Sequence, residues 1–248
     1  MNLKDLVSKV TENGYHVCDF GELSLSLDFD VETLGGRFEF NNALEAVNLQ
    51  TLPKITNGSV ANLERSILGV PIVFYHKRAP IDRHTSSVRY ALLVGRISAV
   101  LAKVDGDVDL LEIVEIKSKI YSLSFLTENE KYNVFIRSIY ALYQNSSKDR
   151  LMQEFSVLKE TDKLQILSII KSIIISDKHI HKNERQILSE FYKLSGVTTK
   201  TITKDLKEYA KKQRIDLIKK NNSEDKNDYL VIDVNSALDD MLSEFESF

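Results

Sequence analysis

The sequence predicts an α+β fold overall: a small mixed α/β N-terminal part over residues 1–84, an all-α helical bundle over 85–213 built from two repeats, and a linker with a C-terminal amphipathic helix over 214–248. Three observations carry this reading. All three prolines and seven of the nine glycines lie before residue 100, where short apolar runs look like strands. From residue 85 the apolar spacing becomes helical. Two of the helical segments also match when slid by 72 residues, which places the repeats at about 85–145 and 160–213.

In chain order, "YHVCDF" (15–20), "LSLSLDFDV" (23–31) and "VPIVFYH" (70–76) are the predicted strands, rich in β-branched and aromatic residues. "LGG" (Leu34 to Gly36) and "NGS" (Asn57 to Ser59) are predicted turns between them. "HKRAPIDRH" (His76 to His84) closes this part with two candidate turns, and its Lys77, Arg78 and Arg83 have the chemistry to contact phosphate.

The helices follow from spacings of three to five. Val88, Leu92, Ile97 and Leu101 make the first stripe, Ile113, Ile116 and Ile120 the second, and Val134, Phe135, Ile139 and Leu142 the third. Leu164, Leu167, Ile170 and Ile174 lead into a polar turn; Ile187, Leu188, Phe191 and Leu194 follow it, with Gly196 placed as the helix stop. Loops this short predict antiparallel neighbours. In the tail, residues 200–220 carry eight Lys or Arg against three acids, with Lys200, Lys204, Lys207 and Lys211 on one face, whereas 224–248 carry eight acids against Lys226. The last helix puts Leu238, Met241, Leu242 and Phe245 on one side, a pattern that suits a groove on a protein partner or on the chain itself.

Two acidic turns hold the candidate site. "KVDGDVDLLE" (Lys103 to Glu112) carries Asp105, Asp107, Asp109 and Glu112, and the 72-residue shift lays Asp105 on Asp177, Val108 on Ile180 and Glu112 on Glu184. An EF-hand is excluded by spacing: with Asp105 first, Leu110 stands where glycine is required and Ile116 where the bidentate glutamate is required. Asp109 with Glu112 has the spacing of a capping box, and Val108 and Ile180 are expected to plug their turns onto the core. If the two turns meet, Asp105, Glu112, Asp177 and Glu184 form a carboxylate cluster. Such a cluster raises its own pKa values unless a cation neutralises it, and hard oxygen donors suit Ca²⁺ or Mg²⁺. His179 and His181 in the second turn are further candidate ligands, for Zn²⁺ or another transition metal, with solvated surface as the alternative.

Through these residues the chain resembles the TerB-like, tellurite-resistance-associated helical family. "LVGRISAVLAKVDGDVDLLEI" and "ILSIIKSIIISDKHIHKNERQILSEFYKLSGVT" are similar to its two repeats, in which an apolar helix ends in Asp-Gly and a Glu follows about seven residues later. The order of segments over residues 70–213 looks closest to the C-terminal TerB domain, and "ALDDMLSEF" resembles the acidic amphipathic helix that often ends it. The resemblance implies a non-enzymatic interaction, scaffold or sensor module in bacterial stress response or phage defence, with a divalent cation held by paired acidic turns: here Asp105, Glu112, Asp177 and Glu184. The sequence departs from the pattern at Lys178, where glycine is expected, and at His179 and His181. A cation at Lys178 weakens the second half of such a site.

Composition sets outer limits. A net charge of −3 gives no global basic footprint for nucleic acid, so the alternative of a nucleic-acid-associated defence protein rests on the basic helix at 200–220 and the loop near Arg78. The one cysteine, Cys18, cannot form an internal disulfide, and with no signal-like N-terminus or uninterrupted apolar span the expected location is the cytoplasm without a membrane span. His16, two residues from Cys18, shares a strand face with it but comes with no orienting acid, so a catalytic pair is not expected. Phosphate loops, dinucleotide fingerprints and cysteine pairs for zinc are missing from the sequence.

Overall fold

Asn2 starts the first helix with a capping box: its side chain accepts from the Asp5 N–H at 2.9 Å, and Asp5 accepts from the Asn2 N–H at 3.2 Å. This α1 (Leu3–Asn13) ends at Gly14, whose φ of +78° reverses the chain into β1 (Tyr15–Asp19). In this computed structural model the described residues are 2–19, 29, 33–55, 71–104, 108, 110–144, 147–176, 178, 180–197 and 202–213, all within one compact unit, Met1–Ile218. "LSLSLDFDV" apart from Phe29, "NGS" and the C-terminal helix with Leu238 to Phe245 lie outside them.

The sheet has three antiparallel strands in the order β1, β3 (Pro71–His76), β2 (Leu49–Leu52). Tyr15 pairs with Tyr75 and Asp19 with Pro71 on one side of β3; Leu49 pairs with His76 and Leu52 with Val73 on the other. Because side chains alternate, β3 feeds two cores. Ile72 and Phe74 pack with Leu6, Val10, Cys18, Phe40, Leu44 and Leu49 under α1 and α2 (Leu34–Ala46), while Val73 and Tyr75 join the helical core. Cys18 is buried in the first of these. "LGG" is not a turn: its residues are the first turn of α2, because Thr33 caps the helix by accepting from the Gly36 N–H at 3.1 Å.

Seven further helices lie among the described residues: α3 (Ser86–Ala102), α4 (Leu110–Tyr121), α5 (Glu128–Tyr143), α6 (Lys148–Ser156), α7 (Glu160–Ile174), α8 (Lys182–Leu194) and α9 (Ile202–Lys212). The result is α+β and mostly helical. Among the described residues no helix is long and apolar enough to cross a membrane. The predicted stripes are buried at Val88, Ile97, Leu101, Ile116, Ile120, Phe135, Ile139, Leu167, Ile170, Ile174 and Leu188. Leu164 and Leu194 are exceptions and face solvent at the margins of their helices. Gly196 does stop α8: with φ +69°, it donates to the Lys193 carbonyl and Val197 donates to that of Tyr192, the two bonds of a Schellman turn.

Tyr132 of α5 fastens the sheet to the helices. Its hydroxyl donates to the Gly14 carbonyl at 2.9 Å and accepts from the His76 N–H at 3.0 Å, and the Arg78 guanidinium lies 3.9 Å from its ring centroid. A second tie joins α3 to α6, where Arg96 grips Glu154 through both Nη atoms while Arg150 Nε donates to the same carboxylate at 3.2 Å. These donors, Arg96 first, hold the Glu154 carboxyl below the usual carboxylate range. A depressed folded pKa stabilises the protein above the unfolded value, about 4.3, and that contribution is lost as pH falls through the folded pKa. Urea unfolding between about pH 6 and about pH 3 should therefore show a shallower acid loss in Glu154→Gln than in the parent. Parallel curves for the two proteins would count against this.

Candidate functional site

The two acidic turns sit in helix–turn–helix units of matching build. Shifted by 72 residues, the end of α3 at Ala102 falls on the end of α7 at Ile174, and the start of α4 at Leu110 falls on the start of α8 at Lys182. Burial follows the same register: Val94 with Ile166, Leu101 with Ile173, Ile116 with Leu188 and Ile120 with Tyr192 are all in the core. Glu112 and Glu184 each occupy the third position of their helix, and both are buried, at 5% and 3% exposure. A buried carboxylate at that position is set up to accept from backbone N–H groups at the positive helix end. Glu184 does so, taking the His181 N–H at 2.7 Å.

The turns also touch. Asn183 Nδ2, one residue before Glu184, donates to the Val104 carbonyl, one residue before Asp105, at 3.4 Å. Of the four carboxylates expected as ligands, Glu112 and Glu184 are described and buried, Glu184 next to Asn183 in sequence; Asp105 and Asp177 lie outside the described residues, as do Asp107, Asp109 and His179. Among the described residues no group of three or more His, Cys, Asp or Glu side chains is arranged to hold a metal ion. Asn183 was missed at the sequence level because an exposed amide beside a glutamate carries no motif.

The expected plugs differ. Ile180 packs against the helical core, but Val108 is 36% exposed and stands beside exposed Leu110 and Leu111, so the first turn presents an apolar edge instead of docking inward. Lys178 replaces the glycine that the resemblance implies, yet its φ is +65° and its N–H donates to the Ile175 carbonyl at 3.1 Å. The backbone there has the left-handed conformation that favours glycine, which costs an L side chain about 1 kcal/mol. Lys178→Gly should raise the urea-derived stability by about 1 kcal/mol and Lys178→Ala should not, because only glycine removes the Cβ conflict.

At the C-terminal side, α9 buries Leu206 and Ala210 and is held by a polar network. Asp205 accepts from the Tyr192 hydroxyl and from Lys171 Nζ at 3.2 Å, and Lys171 lies 5.1 Å from the Tyr209 ring centroid. Burial first, then the Asp205 hydrogen bond, raises the Tyr192 pKa well above the ordinary phenol value. The basic face points away from this network: Lys204, Lys207 and Lys211 are exposed, with Lys204 3.8 Å from Glu208, and Lys200 lies outside the described residues. In the loop near Arg78, Lys77 pairs with Glu45 and Arg78 with Tyr132, so two of its three cations already have partners.

No family model, no curated protein and no solved structure matches the chain.

Proposed function

We propose that the chain is a TerB-like, non-enzymatic interaction module of the cytoplasm, a scaffold or sensor in bacterial stress response or phage defence whose state depends on a divalent cation. The observation that supports it is the junction between two helix–turn–helix units of the same build, in which the Asn183 amide meets the Val104 carbonyl next to the two acidic turns. Buried Glu112 and Glu184 bring negative charge to the same helix positions in both units, and Asp105 and Asp177 supply the rest of an oxygen-donor set suited to Ca²⁺ or Mg²⁺. The exposed Val108, Leu110 and Leu111 beside the first turn, together with the C-terminal amphipathic segment, are the apolar surfaces offered to a protein partner.

Calorimetric titration of chelator-treated protein with CaCl₂ and with MgCl₂ tests this reading. Expected are a binding heat and a melting temperature that rises with cation concentration, both lost in the Asp105→Asn, Asp177→Asn double variant. Absence of heat with an unchanged melting temperature in millimolar Ca²⁺ and Mg²⁺ removes the cation from the proposal.

The exposed row Lys204, Lys207 and Lys211 favours a second reading, a nucleic-acid-associated defence protein. It requires binding to DNA or RNA that weakens steeply with salt and is lost when those three lysines are changed to Glu. Undetectable binding to single- and double-stranded probes at low salt rejects it.

A further inference from the structure

Away from both turns, α3 and α5 line a cavity of about 320 Å³. One stripe of α3, Arg89, Leu92 and Arg96, faces one stripe of α5, Arg137, Tyr140 and Gln144; Arg83 comes from the loop before α3 and Leu52 from β2. Four arginines therefore line one small concavity, with Arg83 and Arg89 exposed and Arg96 and Arg137 half-buried. The single carboxylate in the lining, Glu154, is already engaged by Arg96 and Arg150. Among the described residues, Arg83, Arg89 and Arg137 have no carboxylate partner, and the Nε of Arg137 is buried without a hydrogen-bond acceptor.

That arrangement costs the folded chain something. Burial, and then the charge of Arg83, disfavours the protonated form of half-buried Arg137, so these two cations repel one another. A half-buried cation with a solely structural role is normally paired, and among the described residues Arg137 has no carboxylate partner. An anion of high charge density seated among Arg83, Arg89 and Arg137 offsets that repulsion. Guanidinium is planar and presents parallel N–H groups, a geometry that fits phosphoryl oxygens in pairs. The volume sits at the small end of ligand cavities, and Leu52, Leu92 and the Tyr140 ring give it an apolar wall against which a flat ring can lie.

We propose that this cavity is a binding site for a small phosphorylated molecule, a phosphoester of mononucleotide size, with Arg83, Arg89 and Arg137 on the phosphate and Leu52, Leu92 and Tyr140 on the organic portion. The site is independent of the cation reading and of the basic face of α9. In the sequence only Arg83 stands in a segment with phosphate-contacting chemistry. Arg89, Arg96 and Arg137 reach the cavity from two helices, and no local motif joins them.

The test is calorimetry on the full chain at low ionic strength with pyrophosphate, adenosine 5′-monophosphate, adenosine 5′-diphosphate and, as a control, sulfate. Expected is binding of the two nucleotides tighter than about 100 µM, with sulfate at least about ten-fold weaker. Arg89→Gln and Arg137→Gln should each weaken nucleotide binding about ten-fold or more. Without ligand, Arg137→Gln should melt at the parent temperature or higher, because it removes a half-buried unpaired cation; this separates a binding role from a structural one. The proposal is overturned if neither nucleotide binds at millimolar concentration, if sulfate binds equally well, or if the two arginine variants bind like the parent. A phosphoserine peptide that binds more tightly than adenosine 5′-diphosphate would overturn the assignment to a small molecule.

Discussion

Phe155→Ala should lower the unfolding free energy by about 3–5 kcal/mol and the melting temperature by about 10 °C. The ring is fully buried and meets Phe191 edge to face, with centroids 4.8 Å apart and planes at 83°. Such a pair adds about 0.5–1.5 kcal/mol to simple burial. Helix α6 is short, and its only fully buried side chains are Leu151 and Phe155, one turn apart. Removing the ring leaves a cavity between α6 and α8 that a nine-residue helix closes only by shifting as a whole. Such a shift also loosens the Arg96–Glu154 grip, because Glu154 is the adjacent residue. Phe155→Leu, which keeps most of the volume, should cost no more than about 2 kcal/mol. Urea unfolding followed by circular dichroism measures both, and a loss under about 1 kcal/mol for the alanine variant would show that the cluster repacks around the gap.

Helix α6 is also a place where the sequence was hard to read. Its apolar pair spans one turn, too short to establish a period, although Ser147 caps it in the usual way by accepting from the Arg150 N–H at 3.4 Å. Strand β2 was missed for a related reason: Leu49 and Thr51 face inward, but two alternations in "LQTL" do not distinguish a strand from a loop. The longer stripes of α3, α5 and α7 were legible because burial repeats over three or more turns. Even there, periodicity marks a face and not its edges, and so Leu164 and Leu194 were assigned inward while the structure leaves them exposed. At the candidate site, Glu112 and Glu184 could be paired from the 72-residue register alone, since helix ends and core positions repeat together. That the turns approach was not legible. It depends on how two helix pairs pack, a long-range property that no window of sequence contains. The arginine cavity was hidden in the same way, with Arg89 and Arg137 on separate helices brought together only by the crossing of α3 and α5.

That crossing is the subject of the second large effect, expected at Gly95. A Cβ placed there would lie 2.0 Å from Ser138 Oγ and 3.2 Å from Ser138 Cβ, with Ile120 Cδ1 at 3.8 Å. Glycine in a helix interior normally gains about 1 kcal/mol on replacement by alanine. Here the sign should reverse, because Ser138 must rotate its hydroxyl away and break its bond to the Val134 carbonyl, 2.9 Å long, leaving a buried donor unpaired. Gly95→Ala should therefore destabilise by about 1 kcal/mol, and Gly95→Val, which adds methyl groups toward Ile120, by about 3 kcal/mol. Adding Ser138→Ala removes the hydroxyl conflict, so the double variant Gly95→Ala, Ser138→Ala should recover at least half of the Gly95→Ala loss. In a double-mutant cycle this appears as a coupling energy of about 1 kcal/mol or more between the two sites. If Gly95→Ala instead stabilises the protein by the usual helix increment, α3 and α5 do not approach as closely as this geometry requires.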